Sequence, residues 1–391
     1  MEPPEKGFVD RVDALIGRTR SIILPTQVLL DIPSVGIAGL RPAFGGLPSN
    51  AEATFGLHYE PPFLEGPGRF AMTQALTSIN GYAGLKALYG IEDGSTVFYT
   101  YGRFLHKPQE EFFGIGPGAD AAAESVYRLN ETMVGGLLGR SLGPNTMLGG
   151  HVSYLADRYG PGMTDGDPQV MQRFAGHDLP GVGANVDYVV TGGFLEYDSR
   201  NTPYDRSYGR RFAPTQRRLR ALSLDANRGT YAAAEVAHYR DVGPQAYSFT
   251  RFTLDLQEYI PLEAGAQHGL AFRQFASFTQ AFADQAVPFY RLQTIGGSRS
   301  LRGYTRDRFR DRNVFLVNAE LRCHVWHWLD MAVFADAGHV FNEFQDLRVQ
   351  GIRHDVGIGF RLRTDKGTVA RFEVARSPEG IRTYLKLGSL L

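Results

Sequence analysis

Hydrophobic and polar positions alternate with a period of two along much of this chain. In "RHDVGIGFRLR" (353–363), His354, Val356, Ile358, Phe360 and Leu362 fall on one face, and Arg353, Asp355, Gly357, Gly359, Arg361 and Arg363 on the other. "FLVNAELRCHV" (315–325) sets Phe315, Val317, Ala319, Leu321, Cys323 and Val325 against Asn318, Glu320, Arg322 and His324. "TRFTLDLQEYI" and "VARFEVARS" repeat the pattern. Such a period belongs to a strand, whose successive side chains point to opposite faces. The strands are about ten residues long, whereas soluble strands usually have about five or six. Strands of ~9–11 residues with one apolar face suit a tilted membrane crossing, apolar face to lipid and polar face to the lumen. A large soluble antiparallel sheet with one wet face is the other reading.

Turn signals divide the chain. Asn80-Gly81 and Asp93-Gly94 each join two alternating runs and predict type I′ hairpins. Candidate strands lie near 34–42, 51–60, 68–79, 82–90, 95–106, 125–139, 145–157, 184–198, 215–226, 247–262, 268–282, 313–326, 329–340, 352–364, 367–377 and 380–389. They make an all-β chain with an even strand number, as bacterial outer-membrane barrels have. Long connections fall near 107–124, 158–183, 227–246 and 283–312. If the first strand rises from the periplasm, all four lie outside, and 283–312 is the sixth outside loop. The connection 199–214 breaks the rule, being long and periplasmic.

Composition removes several functions. Lysines and arginines balance aspartates and glutamates at 41 each, which argues against a dedicated nucleic-acid binder. Cys323 is the only cysteine, so neither an internal disulfide nor a cysteine-based zinc site can form. No apolar run approaches the ~18 residues of a membrane-crossing helix. The opening "MEPPEKGFVDRVD" does not read as a signal peptide. No Walker loop and no G-x-S-x-G elbow occurs, and "GIGPG" (114–118) has no helix pattern after it. His324 and His327 are spaced for a helix but sit at a strand end. The chain is therefore expected to be no enzyme, with no catalytic residue, metal or cofactor.

One loop concentrates charge. "IGGSRSLRGYTRDRFRDRN" (295–313) opens on Gly296 and Gly297 and carries Arg299, Arg302, Arg306, Arg308, Arg310 and Arg312 against Asp307 and Asp311. In "VFADAGHVF", Phe334, Asp336 and Gly338 share a face, and Asp336 and Glu320 point to the same side of neighbouring candidate strands. Small neighbours leave room for a guanidinium, whose planar fork pairs well with carboxylates.

"GGSRSLRGY", "NAELR" and "FADAG", in that order, resemble the end of the BamA/TamA/two-partner-secretion superfamily of outer-membrane barrels, the bacterial surface antigen family. The family's [V/L]-R-G-[F/Y] motif is matched by Leu301, Arg302, Gly303 and Tyr304, and its F-x-D-x-G motif by Phe334 to Gly338. "EFFGIGPGA" (111–119) and "FLEYDSRNTPYDRSYG" (194–209) also look like family segments. The resemblance implies a transmembrane antiparallel barrel of about 16 strands in the outer membrane of a Gram-negative bacterium. It implies a long sixth extracellular loop folded into the lumen, with Arg302 on Asp336 and Glu320. The other loop arginines would line a wet lumen or meet lipopolysaccharide phosphates, Arg308 being solvated.

The implied activity is insertion or translocation of polypeptides through a weak seam between the first and last strands. The first candidate strand carries Gly36 and Gly39, which offer little cross-strand contact. The implied partners are membrane lipid, lipopolysaccharide, and a polypeptide substrate or a periplasmic or lipoprotein partner. The alternative is a passive pore or structural barrel. Residues 1–32 are expected to form a periplasmic segment with a short helix in "GFVDRVDALIG", and 33–391 the barrel of a member without the family's POTRA modules, or one isolated from them.

Overall fold

A computed structural model describes residues 39–387, except 45, 48–50, 52, 65, 164–165, 176–178, 202–221, 266–267 and 365–366. The expected N-terminal segment lies outside them.

The chain forms an antiparallel sheet of sixteen strands in sequence order. These are β1 (Leu40–Phe44), β2 (Thr54–Tyr59), β3 (Arg69–Ser78), β4 (Ala83–Asp93), β5 (Thr96–Phe112), β6 (Ser125–Ser141), β7 (Thr146–Pro161), β8 (Val186–Asp198), β9 (Gly229–Asp241), β10 (Phe249–Pro261) and β11 (His268–Ala281). After the sixth loop, L6 (282–312), come β14 (Asn313–Trp326), β15 (Leu329–Phe341), β16 (Arg353–Thr364), β17 (Gly367–Ser377) and β18 (Gly380–Leu387). Within L6, β12 (Gln293–Ile295) and β13 (Phe309–Asp311) make a separate two-stranded ribbon. Among the described residues, β1 and β18 do not pair with each other.

The inward and outward faces are inverted relative to a soluble sheet. Phe315, Leu321, Val333, Val356 and Phe360 are exposed, while Asn318, Glu320, Asp336, Asp355 and Arg361 on the alternate face are buried. A charge on a lipid face costs ~2–4 kcal/mol at mid-membrane, whereas a lumen-facing charge keeps water or a partner. The apolar band therefore faces lipid, and the sheet is the wall of a transmembrane barrel.

L6 runs through the lumen and touches opposite walls. Arg310 Nη1 donates to Tyr127 Oη of β6 at 3.0 Å, and Tyr304 Oη donates to the His354 carbonyl of β16 at 3.3 Å. The opposite end is also crossed from inside. Asp225, in the connection from β8 to β9, accepts from Thr368 N (2.9 Å) and Oγ1 (2.8 Å) on β17. Arg322 of β14 donates to the Ala226 carbonyl at 2.8 Å.

Several expectations are corrected. Of the strand expected near 215–226, residues 215–221 lie outside the described residues and 222–226 are not strand; the strand that pairs with β8 is β9, in the stretch expected to be a long connection. Its run Ala232-Ala233-Ala234 puts small residues on both faces, so the period is blurred. The outside connection there shrinks to 242–248, and the opposite one grows to 199–228. The first strand is Leu40–Phe44, not 34–42, of which 34–38 lie outside the described residues.

Both hairpins form, but neither is type I′. Asp93 pairs with Thr96, and within Gly94-Ser95 only Gly94 (φ +55°) is left-handed, the pattern of a type II′ turn. In 79–81 only Gly81 (φ +84°) is left-handed, as in a three-residue loop.

Candidate functional site in the barrel lumen

The Gly-Gly opening shapes the tip of L6. Gly296 (φ +126°) and Gly297 (φ +85°) adopt backbone that L side chains avoid, and a Cβ on Gly296 would lie 2.2 Å from the Thr305 carbonyl oxygen. Gly297 N donates to the Tyr304 carbonyl at 3.1 Å, and Gly296 N to Ser300 Oγ at 2.8 Å. The tip is thus a closed turn that presents Leu301 to Tyr304 to the wall. Leu301 and Tyr304 are buried in an apolar cluster with Phe275, Ile295, Phe309, Val314, Leu316 and Val340, which fixes the turn's depth.

Arg302 meets three carboxylates. Nε donates to Asp336 Oδ2 and Nη2 to Asp336 Oδ1, both at 2.7 Å. Nη1 donates to Glu320 Oε1 at 2.6 Å and to Glu373 Oε1 at 3.2 Å. The guanidinium carbon lies 3.4 Å from the centre of the Phe334 ring, a close cation–π stack. Arg302 is 4% exposed. A charge buried this deeply is tolerable only when its donors are used and its charge is met. The carboxylates are themselves shared: Glu320 Oε2 accepts from Arg322 Nε at 2.9 Å and Arg361 Nη2 at 2.6 Å, and Asn318 donates to Asp336 at 2.7 Å.

The motif's other members explain their own residue types. Gly303 passes so close to the wall that a Cβ would stand 2.5 Å from Asp355 Cβ and 2.8 Å from Ser377 Cβ. Its carbonyl accepts from Ser377 Oγ at 2.7 Å. Gly338 leaves room for Ile295, since a Cβ there would be 3.1 Å from Ile295 Cδ1. Phe334 in turn needs Gly357 on the adjacent strand, where a Cβ would approach its ring to 2.4 Å.

On the far wall L6 is held by further arginines. Arg291 is paired with Asp157 of β7 and lies 3.7 Å from Glu131 of β6. Arg310 sits over the rings of Phe112, Tyr127 and Phe289. Arg308 is not solvated, as its place in an arginine-rich stretch suggested, but 3% exposed. Its Nε donates to Glu379 Oε2 at 3.0 Å and its Nη2 to the Ala119 carbonyl at 2.8 Å, and it stacks on Phe113 and Phe309. Aromatic residues on neighbouring elements shelter it, which a one-dimensional pattern cannot show. Arg310 and Arg306 likewise bond or pair within the barrel, so these side chains do not reach out to lipopolysaccharide.

Residues 195–377 match the family model of the Omp85 superfamily domain. That stretch is similar to an Omp85 domain. The barrel superposes on BamA from Haemophilus ducreyi lacking POTRA domains 1–3 with a TM-score of 0.62, covering 89% of this chain and 69% of that one at 13% identity. Against CdiB from Escherichia coli the TM-score is 0.56, covering 88% of this chain and 61% of that one at 9% identity. At such identities the likeness is one of fold. No curated protein matches the chain in sequence. Omp85 barrels belong to the outer membrane, in keeping with the apolar band described above.

The fold brings Leu301, Arg302, Gly303 and Tyr304 together with Asp336, Glu320, Phe334 and Gly338, and Gly296 and Gly297 form the turn behind them. Sequence reasoning missed the role of Glu373. Its signal was available, since Glu373 lies opposite Phe372 and Val374 on an alternating strand and so faces the same lumen. The anchor between Arg291 and Asp157 had no sequence signal, because 134 residues separate the partners.

Proposed function

We propose that this Omp85 domain handles polypeptide at the outer membrane of a Gram-negative bacterium, assisting insertion or translocation without a catalytic step. Substrate would pass by way of the junction between β1 and β18. The observation that carries this reading is the contrast along the wall. Strands β5 to β11 and β14 to β16 are 12 to 17 residues long and continuously paired. By contrast, among the described residues β1 comprises five and β18 eight, and no ladder joins them. Ladder hydrogen bonds and cross-strand pairs are what hold strands together, so this junction is the cheapest place to part the wall. A polypeptide with unpaired strand edges would find matching edges there. Capture falls to a periplasmic or lipoprotein partner, with membrane lipid and lipopolysaccharide around the barrel.

The test replaces Cys323 with serine, then places one cysteine in β1 and one in β18. Disulfide formation should abolish assisted insertion of a model barrel into proteoliposomes, and reduction should restore it. Undiminished insertion by a fully crosslinked protein overturns the seam.

A second reading, a passive or structural barrel, is favoured by the internal bracing. L6 is tied to both walls, and residues 223–226 are tied to β10, β14 and β17. Such a protein would leave insertion rates unchanged with or without the crosslink.

A further inference from the structure

The alternation of exposed and buried positions fails at one end of β15. Val333 and Ala335 face outward and are exposed. His339 and Phe341 share that outward face by the period of two, yet they are 2% and 1% exposed. The connection 342–352 between β15 and β16 covers them, at the same end of the barrel as L6. This connection lies against the outer side of the wall. Gly351 passes so close over the His339 ring that a Cβ there would overlap it. The Phe344 ring centre lies 5.1 Å from that of Phe278 on β11 and 5.9 Å from that of Phe341. Phe278 in turn stacks at 6.4 Å on Phe252 of β10, an exposed side chain of the apolar band. Aromatic contacts thus join the connection to the surface that meets lipid.

Its own hydrogen bonds give the connection a fixed shape. Glu343 N donates to Asp346 Oδ2 at 3.0 Å, and the Glu343 side chain accepts from Asp346 N in return. Two short turns follow, closed by Leu347 N on the Phe344 carbonyl at 3.2 Å and by Ile352 N on the Val349 carbonyl at 3.1 Å. In this shape three large apolar side chains stand clear of the protein: Phe344 is 68% exposed, Leu347 48% and Val349 79%. Glu343, Asp346 and Arg348 interleave with them and are exposed too. Large apolar side chains held together in ordered turns mark a surface that something covers. Apolar groups interleaved with charges, at the rim of an apolar wall, suit the boundary between acyl chains and headgroups, where each kind of group finds its own medium.

We propose that the connection 342–352 is a membrane anchor on the outside of the barrel, with Phe344, Leu347 and Val349 among the acyl chains of the outer leaflet and Arg348 at the level of the headgroups. The occupant is lipid and not a second protein, because the patch continues the lipid-facing wall through Phe278 and Phe252. Anchored in this way, the connection fixes how deeply the wall sits in the membrane at β15 and β16. The inference rests on the membrane reading of the wall, and it holds whether or not the barrel handles polypeptide.

The test uses the full chain with Cys323→Ser, reconstituted in vesicles of phosphatidylethanolamine and phosphatidylglycerol. Single nitroxide labels are attached through Leu347→Cys, Val349→Cys, Val333→Cys or Ala122→Cys, and retained heat-modifiable migration on gels shows that each variant is folded. Power saturation then compares access of oxygen, which concentrates among acyl chains, with access of a water-soluble nickel chelate. Val333 on the mid-wall outer face reports lipid, and Ala122, exposed in the connection between β5 and β6, reports water. The ratio of oxygen to nickel access at 347 and 349 should lie several times above that at 122, towards that at 333. A ratio at both positions equal to that at 122 overturns the anchor. Exclusion of both reagents from 347 and 349 also overturns it, by showing a protein surface over the patch. A water-like ratio at 333 itself would instead overturn the membrane reading of the wall, so the two failures are told apart.

Discussion

Arg302 and Asp336 form a two-pronged pair, each carboxylate oxygen 2.7 Å from a different guanidinium nitrogen. The pair joins the tip of a long loop to the middle of a wall strand, 34 residues further on. It sits between a second carboxylate, Glu320, and the Phe334 ring, so geometry, charge and stacking all select arginine.

Arg302→Ala should loosen L6 and destabilise the barrel. Removing one side of a buried pair typically costs ~3–5 kcal/mol, and water entering the lumen reduces this to about 1–3 kcal/mol. Arg302→Lys should recover little, because one ammonium cannot reproduce the fork. Limited proteolysis within 282–312 and the urea midpoint measure both. A variant as resistant as the parent would show that the contacts of Arg302 with Asp336, Glu320 and Glu373 do not hold L6 in place.

Arg308→Ala should also weaken L6, but less than Arg302→Ala. Arg308 is buried, yet it meets one carboxylate, Glu379, whose side chain is 27% exposed. A partly solvated single pair with stacking is worth about 1–2 kcal/mol. Equal or greater loss than Arg302→Ala would reverse the ranking.

Gly303→Ala should force the loop off the wall, since its Cβ would lie 2.5 Å from Asp355 Cβ. Overpacking of this kind costs roughly 1–3 kcal/mol. Gly118→Ala is the control: nothing lies within 4 Å of the added methyl, so thermal stability should hold. The two melting temperatures decide it.

Asp225→Ala should free the connection that crosses the end opposite L6. Two hydrogen bonds to Thr368 are lost, about 0.5–1.5 kcal/mol each. Single-channel conductance should rise or become noisier while the melting temperature moves little. An unchanged trace would mean that this crossing does not obstruct the pore.

Detergent phase separation should carry the folded chain into the detergent phase, because Phe315, Leu321, Val333 and Phe360 present apolar surface outward. Recovery from the aqueous phase would contradict a membrane wall.

The sequence by itself determined the strand period, the inversion of the faces and the placing of L6, because side-chain alternation is local and needs no knowledge of neighbours. The partners of Arg302 followed from the motif's family resemblance, and the linear pattern added that Asp336 and Glu320 face the same side. Tertiary structure alone decided the rest. Where Ala232 to Ala234 erase the contrast between faces, only pairing with β8 and β10 makes β9 a strand. Whether an arginine is solvated depends on what lies across the barrel: Phe113 and Ala119 shelter Arg308 from a connection nearly 190 residues earlier. The companions of Arg302 likewise come from β14, β15 and β17, and only the pairing of these neighbouring strands, with L6 folded against them, brings Glu320, Asp336 and Glu373 onto one guanidinium.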